Sequence, residues 1–171
     1  QHSVKEMREI GIQPDLLLCR APHVLDEGMR RKISLFTNVE PEAVISAFDV
    51  ETIYQVPPAF YEQGADQQIV DRLGLECGQA DVAPWKEIVN IFVGAEKRVR
   101  VAVVGKYIEL QDSYKSVDEA LYHGGIANGG RVELVKLDSE KLEKEKELSA
   151  AFAGISGILV PGGFGGRGVK G

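Results

Sequence analysis

Five glycines fall within the eight residues Pro161-Gly162-Gly163-Phe164-Gly165-Gly166-Arg167-Gly168. They follow an apolar run, Ile158-Leu159-Val160, that reads as a buried parallel strand. A glycine-dense loop at the carboxyl end of such a strand is where open α/β sheets take ligands. Glycine permits φ > 0, expected here at Gly163 among others, and leaves backbone N–H groups unshielded by side chains. Those donors suit a carboxylate, a phosphate or a developing oxyanion. The other reactive side chains form no such pattern. Cys19 lies in the apolar run Leu16-Leu17-Leu18-Cys19 and reads as a buried structural thiol, and with Cys77 it makes no disulfide framework. His2, His23 and His123 are scattered without metal-ligand spacing, so no metal site is expected from this chain alone.

Around that loop the composition is that of an ordinary water-exposed α/β protein. The chain has 171 residues and a net charge of −6. Residues 1–98 hold 10 Lys/Arg against 16 Asp/Glu, and residues 99–171 hold 10 of each. Neither part has the basic field that nucleic acid requires, so no nucleic-acid partner is expected. No apolar run approaches the ~18 residues of a membrane span and no leader-like segment opens the chain. A cytoplasmic protein without a membrane partner is therefore expected.

The elements that must position the loop follow a helix–strand rhythm. Ser3 and Glu6 form a capping-box pattern for a helix over Val4–Ile10, ending at Gly11. A strand is predicted at Leu16–Cys19 and a helix at Glu27–Thr37 with Met29, Ile33 and Phe36 on one face. A strand at Val44-Ile45-Ser46 and helices after Pro57-Pro58 and up to Gly74 complete the first unit. Asp81 to Phe92 reads as a linker helix pinned to a neighbour by Trp85. A second unit follows: strand Val99–Val104, helix Tyr114–Tyr122 closed by Gly124-Gly125, and strand Val132–Leu137. Then come a charged helix capped by Ser139 and running to Leu148, and strand Ile155–Val160. The expected fold is α/β, with two Rossmann-like parallel-sheet units, both incomplete in this chain, joined by a linker with a helix. The chain is expected to be an interior piece of a longer enzyme.

Three separated blocks carry a resemblance to the CTP synthases. They are Gln1-His2-Ser3-Val4-Lys5-Glu6 with Gly11-Ile12-Gln13-Pro14-Asp15, then Gly105-Lys106-Tyr107-Ile108-Glu109-Leu110 with Asp112 to Ser116, then Val160-Pro161-Gly162-Gly163-Phe164-Gly165 with Arg167-Gly168. The third block is shared with many class I glutamine amidotransferases, and the second is narrower. The resemblance implies that residues 1–75 end a synthetase (amidoligase) domain, 76–98 are an interdomain linker, and 99–171 begin a class I glutaminase domain. It implies ATP-dependent amination of UTP to CTP with ammonia from glutamine, Mg²⁺ held by ligands outside this chain, GTP activation, CTP feedback and a homotetramer.

Residue by residue, the resemblance places Gln1 and Lys32 at the UTP/CTP site and Phe48, Asp49 and Val50 around the adenine of ATP. Phe48 stands where the family often has a polar or basic residue. Gly162 matches an oxyanion-hole position, Gly163 and Phe164 the glutamine pocket, and Lys115, Arg167 and Gly168 positions tied to GTP activation. The nucleophilic cysteine is expected outside this chain, and the segment alone is expected to be inactive. Two other readings remain at this level: another amidoligase fused to a class I glutaminase, of the cobyrinic acid synthase type, or a non-catalytic nucleotide-sensing module.

Overall fold

The computed structural model describes residues 1–171 other than 111, 145–147, 164 and 167. The chain divides into two units, Gln1–Val89 and Asn90–Gly171, each built on a parallel sheet.

In the first unit, β1 (Leu17–Ala21) and β2 (Val44–Phe48) pair in parallel, with Cys19 opposite Ser46. Val44 and Ile45 are fully buried, and Val39, Ala43 and Val44 form a core against which Leu17, Cys19, Leu25 and Ile33 pack. The crossover helix α2 (Glu27–Thr37) has the bounds its sequence predicts. The Asp26 carboxylate accepts the Met29 N–H at 2.7 Å, and Asn38 closes the helix in the left-handed region at φ 55°. Its inward face differs from the expected one. Arg30, Ile33, Ser34 and Thr37 are the shielded positions, while Met29 and Phe36 are exposed. The Thr37 hydroxyl donates to the Ile33 carbonyl at 2.7 Å, so a β-branched polar residue fills the place assigned to Phe36.

The helix α1 (His2–Glu9) starts two residues earlier than predicted, which puts Ser3 inside the first turn. Gln1 is the N-cap and no side chain closes it, so the Ser3/Glu6 capping box does not form. After β2 come α3 (Val56–Tyr61) and α4 (Ala65–Leu73), the latter ended by Gly74 in the left-handed region. Gln63, between them, ties this region together. Its side-chain amide accepts the Ser46 N–H at 2.8 Å and donates to the Ser46 carbonyl at 3.0 Å, occupying an edge of β2 as a neighbouring strand would. The same amide accepts from Arg30 at 2.9 Å and donates to the Ala59 carbonyl at 2.9 Å.

The division between the units falls inside α5 (Ala83–Gly94). The ring anchor expected at Trp85 is found at Phe92. Trp85 is 40% exposed, whereas Phe92 meets Tyr122 edge-on at 5.5 Å and lies under the Arg131 guanidinium at 5.7 Å.

The second unit has β3 (Arg98–Gly105) between β4 (Arg131–Asp138) and β5 (Gly157–Leu159), all parallel. Ala102 and Val103 are fully buried, and Ala102, Val104 and Leu142 make a core with Leu137, Phe152 and Ile155. The connecting helix α6 (Lys115–Ala127) runs through Gly124-Gly125 instead of ending there. Gly125 is required by packing: a Cβ on it would sit 2.6 Å from a Val132 methyl and 2.8 Å from the Gly130 carbonyl oxygen. The helix after β4 is also not capped by Ser139. Asp138 caps α7 (Ser139–Leu142) by accepting the Glu140 N–H at 2.8 Å, and Ser139 is buried in the first turn. A separate helix, α8, covers Leu148–Ala151, and part of the predicted charged run lies outside the described residues. The final strand is shorter and more open than expected. Among the described residues β5 pairs only on its β3 side, and Ile158 and Val160 are exposed, the latter at 72%.

Candidate functional site

The carboxyl ends of β3 and β5 converge with the start of α7 on a cavity of about 370 Å³. Gly162, Gly163, Gly165 and Gly168 line it together with Lys106 and Ser139. Parallel strands direct their C-terminal loops to one end of the sheet, which is why residues so distant in sequence share one wall. Lys106 follows β3 directly, and its ammonium donates to the Gly165 carbonyl at 2.9 Å. Tyr114, only 8% exposed, supports the same turn from below: its hydroxyl oxygen accepts the N–H of Lys106 at 3.1 Å and that of Tyr107 at 3.4 Å. The Lys136 ammonium lies 5.5 Å from the centre of the Tyr114 ring and pairs with Asp118.

The backbone of the loop departs from the expectation at Gly163. Positive φ occurs at Gly165 (79°) and Gly168 (69°), and at neither Gly162 nor Gly163. A Cβ at Gly162 would meet nothing within 4 Å, and one at Gly163 would touch only the Lys106 side chain at 3.8–3.9 Å. A Cβ would thus fit at the first two glycines, while Gly165 and Gly168 turn the chain. At Gly168 a Cβ would collide with the Ser139 hydroxyl and approach its Cβ to 3.2 Å. The Ser139 hydroxyl is buried and, among the described residues, has no hydrogen-bond partner. Lys115, at the exposed start of α6, is not in the wall of this cavity, and Phe164 and Arg167 lie outside the described residues.

In the first unit, the ends of β1 and β2 open on a cavity of about 340 Å³ that contains all of Phe48, Asp49 and Val50. Its floor is apolar, from Ile53, Val56, Ala59 and Phe60. Its rim carries one ion pair, Arg20 with Asp49, and Arg20 also donates to the Ala47 carbonyl at 3.1 Å and the Ala21 carbonyl at 3.2 Å. An apolar slot with a fixed polar rim suits a flat heteroaromatic group. A third, open cavity of about 650 Å³ is lined by Gln1, Lys5, Arg8 and Phe36. Lys32 is exposed one helical turn before Phe36, beside this cavity but outside its lining. No cluster of three or more His, Cys, Asp or Glu gathers among the described residues, and no step is assigned to a metal here. Among the described residues, no helix is long and apolar enough to cross a membrane.

Tyr114 and Ser139 are site residues that the sequence alone did not single out. Each is brought in by a contact of eight or more positions' separation, and neither falls in a pattern with chemical meaning of its own. A partial signal existed for Arg20 and Lys106, since both stand at the carboxyl ends of parallel strands.

Comparison with known proteins bears on these cavities. Residues 1–75 match the family model described as CTP synthase N-terminus. The whole chain aligns with CTP synthase from Aquifex aeolicus (strain VF5) at 54% identity over 171 residues, covering 100% of this chain and 32% of that protein. It aligns with CTP synthase from Geotalea uraniireducens (strain Rf4) at 52% identity over 172 residues, with the same coverage. Over its whole length the chain is similar to these CTP synthases. It spans about a third of the length of these curated relatives. The expectation of an interior piece is corrected on this finding and not retained: the model matched at residues 1–75 is that of the family's N-terminus.

Proposed function

We propose that this chain is a working part of a glutamine-dependent CTP synthase, with nucleotide contacts in its first unit and glutamine chemistry at the glycine loop of its second. The observation that carries the reading is the glycine-loop cavity at the carboxyl ends of β3 and β5, in a chain that is 54% identical along its length to a CTP synthase. Residues 1–75 act in the synthetase part, 76–98 link, and 99–171 act in the glutaminase part.

In the glutaminase part, glutamine enters the cavity against Gly163, and the resemblance makes Phe164 a glutamine-binding residue. A thiolate attacks the side-chain amide carbon, and the Gly162 N–H holds the negative charge that develops on the carbonyl oxygen. Ammonia leaves, and water releases glutamate from the acyl-enzyme. The attacking thiol is neither Cys19 nor Cys77. Cys19 lies in the first unit on β1, where burial pushes its pKa up and keeps it protonated. Cys77 lies in the same unit on an exposed segment.

In the synthetase part, the apolar slot at Phe48, Asp49 and Val50 takes the adenine of ATP, with Arg20 and Asp49 at its rim. Gln1 and Lys32 contact UTP, and CTP competes there as feedback inhibitor. ATP phosphorylates O4 of UTP, and ammonia then displaces that phosphate at C4 to give CTP, ADP and phosphate. Magnesium, when bound, neutralises phosphate charge, and the described residues of this chain are not its ligands. Lys115, Arg167 and Gly168 take part in activation by GTP. The full-length protein works as a cytoplasmic homotetramer in pyrimidine biosynthesis, and residues 1–171 alone have no activity.

The test is isotopic. Full-length parent protein given ATP, UTP and glutamine labelled with ¹⁵N in the amide should form CTP carrying ¹⁵N on its 4-amino group. Glutamine hydrolysis without labelled CTP would point to a different acceptor and overturn the reading.

A further inference from the structure

Two features of the second unit have no role in the chemistry above: the Lys106 ammonium and the buried Tyr114 hydroxyl. Lys106 leaves β3 and lies along Gly163, so that a methyl there would touch its Cδ, Cε and Nζ at 3.8–3.9 Å. Its ammonium then donates at 2.9 Å to the carbonyl of Gly165, the residue held at φ 79°. The lysine therefore crosses the loop between its open first half and its turned second half. The backbone that launches Lys106 is itself held. Tyr114 accepts both the Lys106 and Tyr107 N–H groups at 3.1 and 3.4 Å. Its ring reaches them because Gly105 has no side chain: a Cβ there would lie 2.7–2.8 Å from the ring atoms Cζ and Cε2.

We infer that Lys106 is a strap that positions the glycine loop, and that Tyr114 is the residue that positions Lys106. The inference rests on reading the loop as the glutamine site only for its kinetic consequence; the strap itself is a statement about loop order. A loop built from glycines has more conformations to lose than any other, so one fixed bond across it narrows the ensemble strongly. The consequence is that the Gly162 N–H is aimed before glutamine arrives. Both residues act through the loop and neither touches the reacting atoms.

The experiment uses the full-length parent protein with Lys106→Met, Lys106→Arg, Tyr114→Phe and the Tyr114→Phe/Lys106→Met double variant. Amide hydrogen exchange of the loop and kcat/KM for glutamine hydrolysis are measured on each. Losing one charge-assisted hydrogen bond in Lys106→Met should speed loop exchange about tenfold and lower kcat/KM by a similar factor. Lys106→Arg, which keeps a cation of similar reach, should recover most of both. Tyr114→Phe should move both readouts in the same direction by a smaller factor. The double variant should be no worse than Lys106→Met alone, because both residues act on one strap. Unchanged loop exchange in Lys106→Met, or effects that simply multiply in the double variant, would overturn the inference. Faster exchange with unchanged glutamine kinetics would uphold the strap and instead sink the assignment of this loop to glutamine.

Discussion

The two cavities at strand ends are made of different material. In the first unit the wall is side chain: Phe48, Val50, Ile53, Val56 and Phe60 shape the slot, and the Arg20–Asp49 pair fixes its rim. In the second unit the wall is largely backbone, with six glycines among its lining residues and Lys106, Tyr114 and Ser139 behind them. A flat apolar group is selected by shape and burial, which side chains supply. A transient oxyanion is selected by aimed N–H donors, which a bare backbone supplies at close range. The same parallel-strand architecture thus presents one site that is robust to small backbone shifts and one that depends on them. Substitutions that add a single carbon should therefore be mild in the first unit and severe at the close-packed or left-handed glycines of the second.

The largest stability effect along that divide is expected at Gly105. Its missing Cβ is where the buried Tyr114 ring sits. Gly105→Ala should destabilise the second unit by about 1–3 kcal/mol through overpacking. Thermal unfolding of the full-length parent would detect it, and an unchanged midpoint would mean that Tyr114 is not fixed there.

Gly168→Ala comes next. The residue sits at φ 69°, where an L side chain costs roughly 1–2 kcal/mol, and the new methyl meets Ser139. Loop exchange and glutamine hydrolysis should both respond. By contrast Gly162→Ala, with open space and no positive φ, should leave stability alone. Equal effects at the two positions would erase the distinction drawn between the halves of the loop.

The smallest effect concerns the thiols of the first unit. Burial raises the pKa of Cys19. The neutral thiol is the form the fold favours, so its contribution is present below the ordinary thiol pKa and fades as pH rises through the raised value. Alkylation at about pH 8 should therefore modify exposed Cys77 before Cys19, because the thiolate is the reactive form. Peptide mass mapping after brief treatment reads the order, and preferential labelling of Cys19 would contradict the packing described for β1.

What the sequence revealed of this architecture followed the strength of local signals. The bounds of α2 were legible because Asp26 and Asn38 end it by local chemistry. The alternation of parallel strands and helices was legible from apolar runs, and the strand-end loops with it. Local signals failed where tertiary packing competed with them. Gly124-Gly125 looked like a helix stop, yet Gly125 is small so that Val132 and the Gly130 carbonyl can approach. Ser3 and Ser139 looked like caps, yet Gln1 and Asp138 hold those positions. Phe36 looked like core, yet Thr37 takes the inward place one residue on. At the sites, residues 48–50 were grouped by the resemblance, which matches a contiguous segment. Lys106 with Gly165, Arg20 with Asp49 and Gln63 with Ser46 could not be grouped, because only the folded sheet brings them together.

The central claim is that these two regions perform separable halves of one reaction, and a crossed kinetic comparison tests it most directly. In the full-length parent, CTP formation would be measured with glutamine and with free ammonia for Gly162→Pro, which deletes the proposed oxyanion donor, and for Lys32→Ala. Gly162→Pro should lower kcat with glutamine by about 10²–10³ while ammonia-driven synthesis stays within about twofold. Lys32→Ala should raise KM for UTP about tenfold with either nitrogen source, the loss of one charged contact, and leave glutamine hydrolysis intact. If Gly162→Pro lowers both reactions equally, or Lys32→Ala leaves the UTP dependence unchanged, the assignment of glutamine chemistry to the loop and nucleotide binding to the first unit is contradicted.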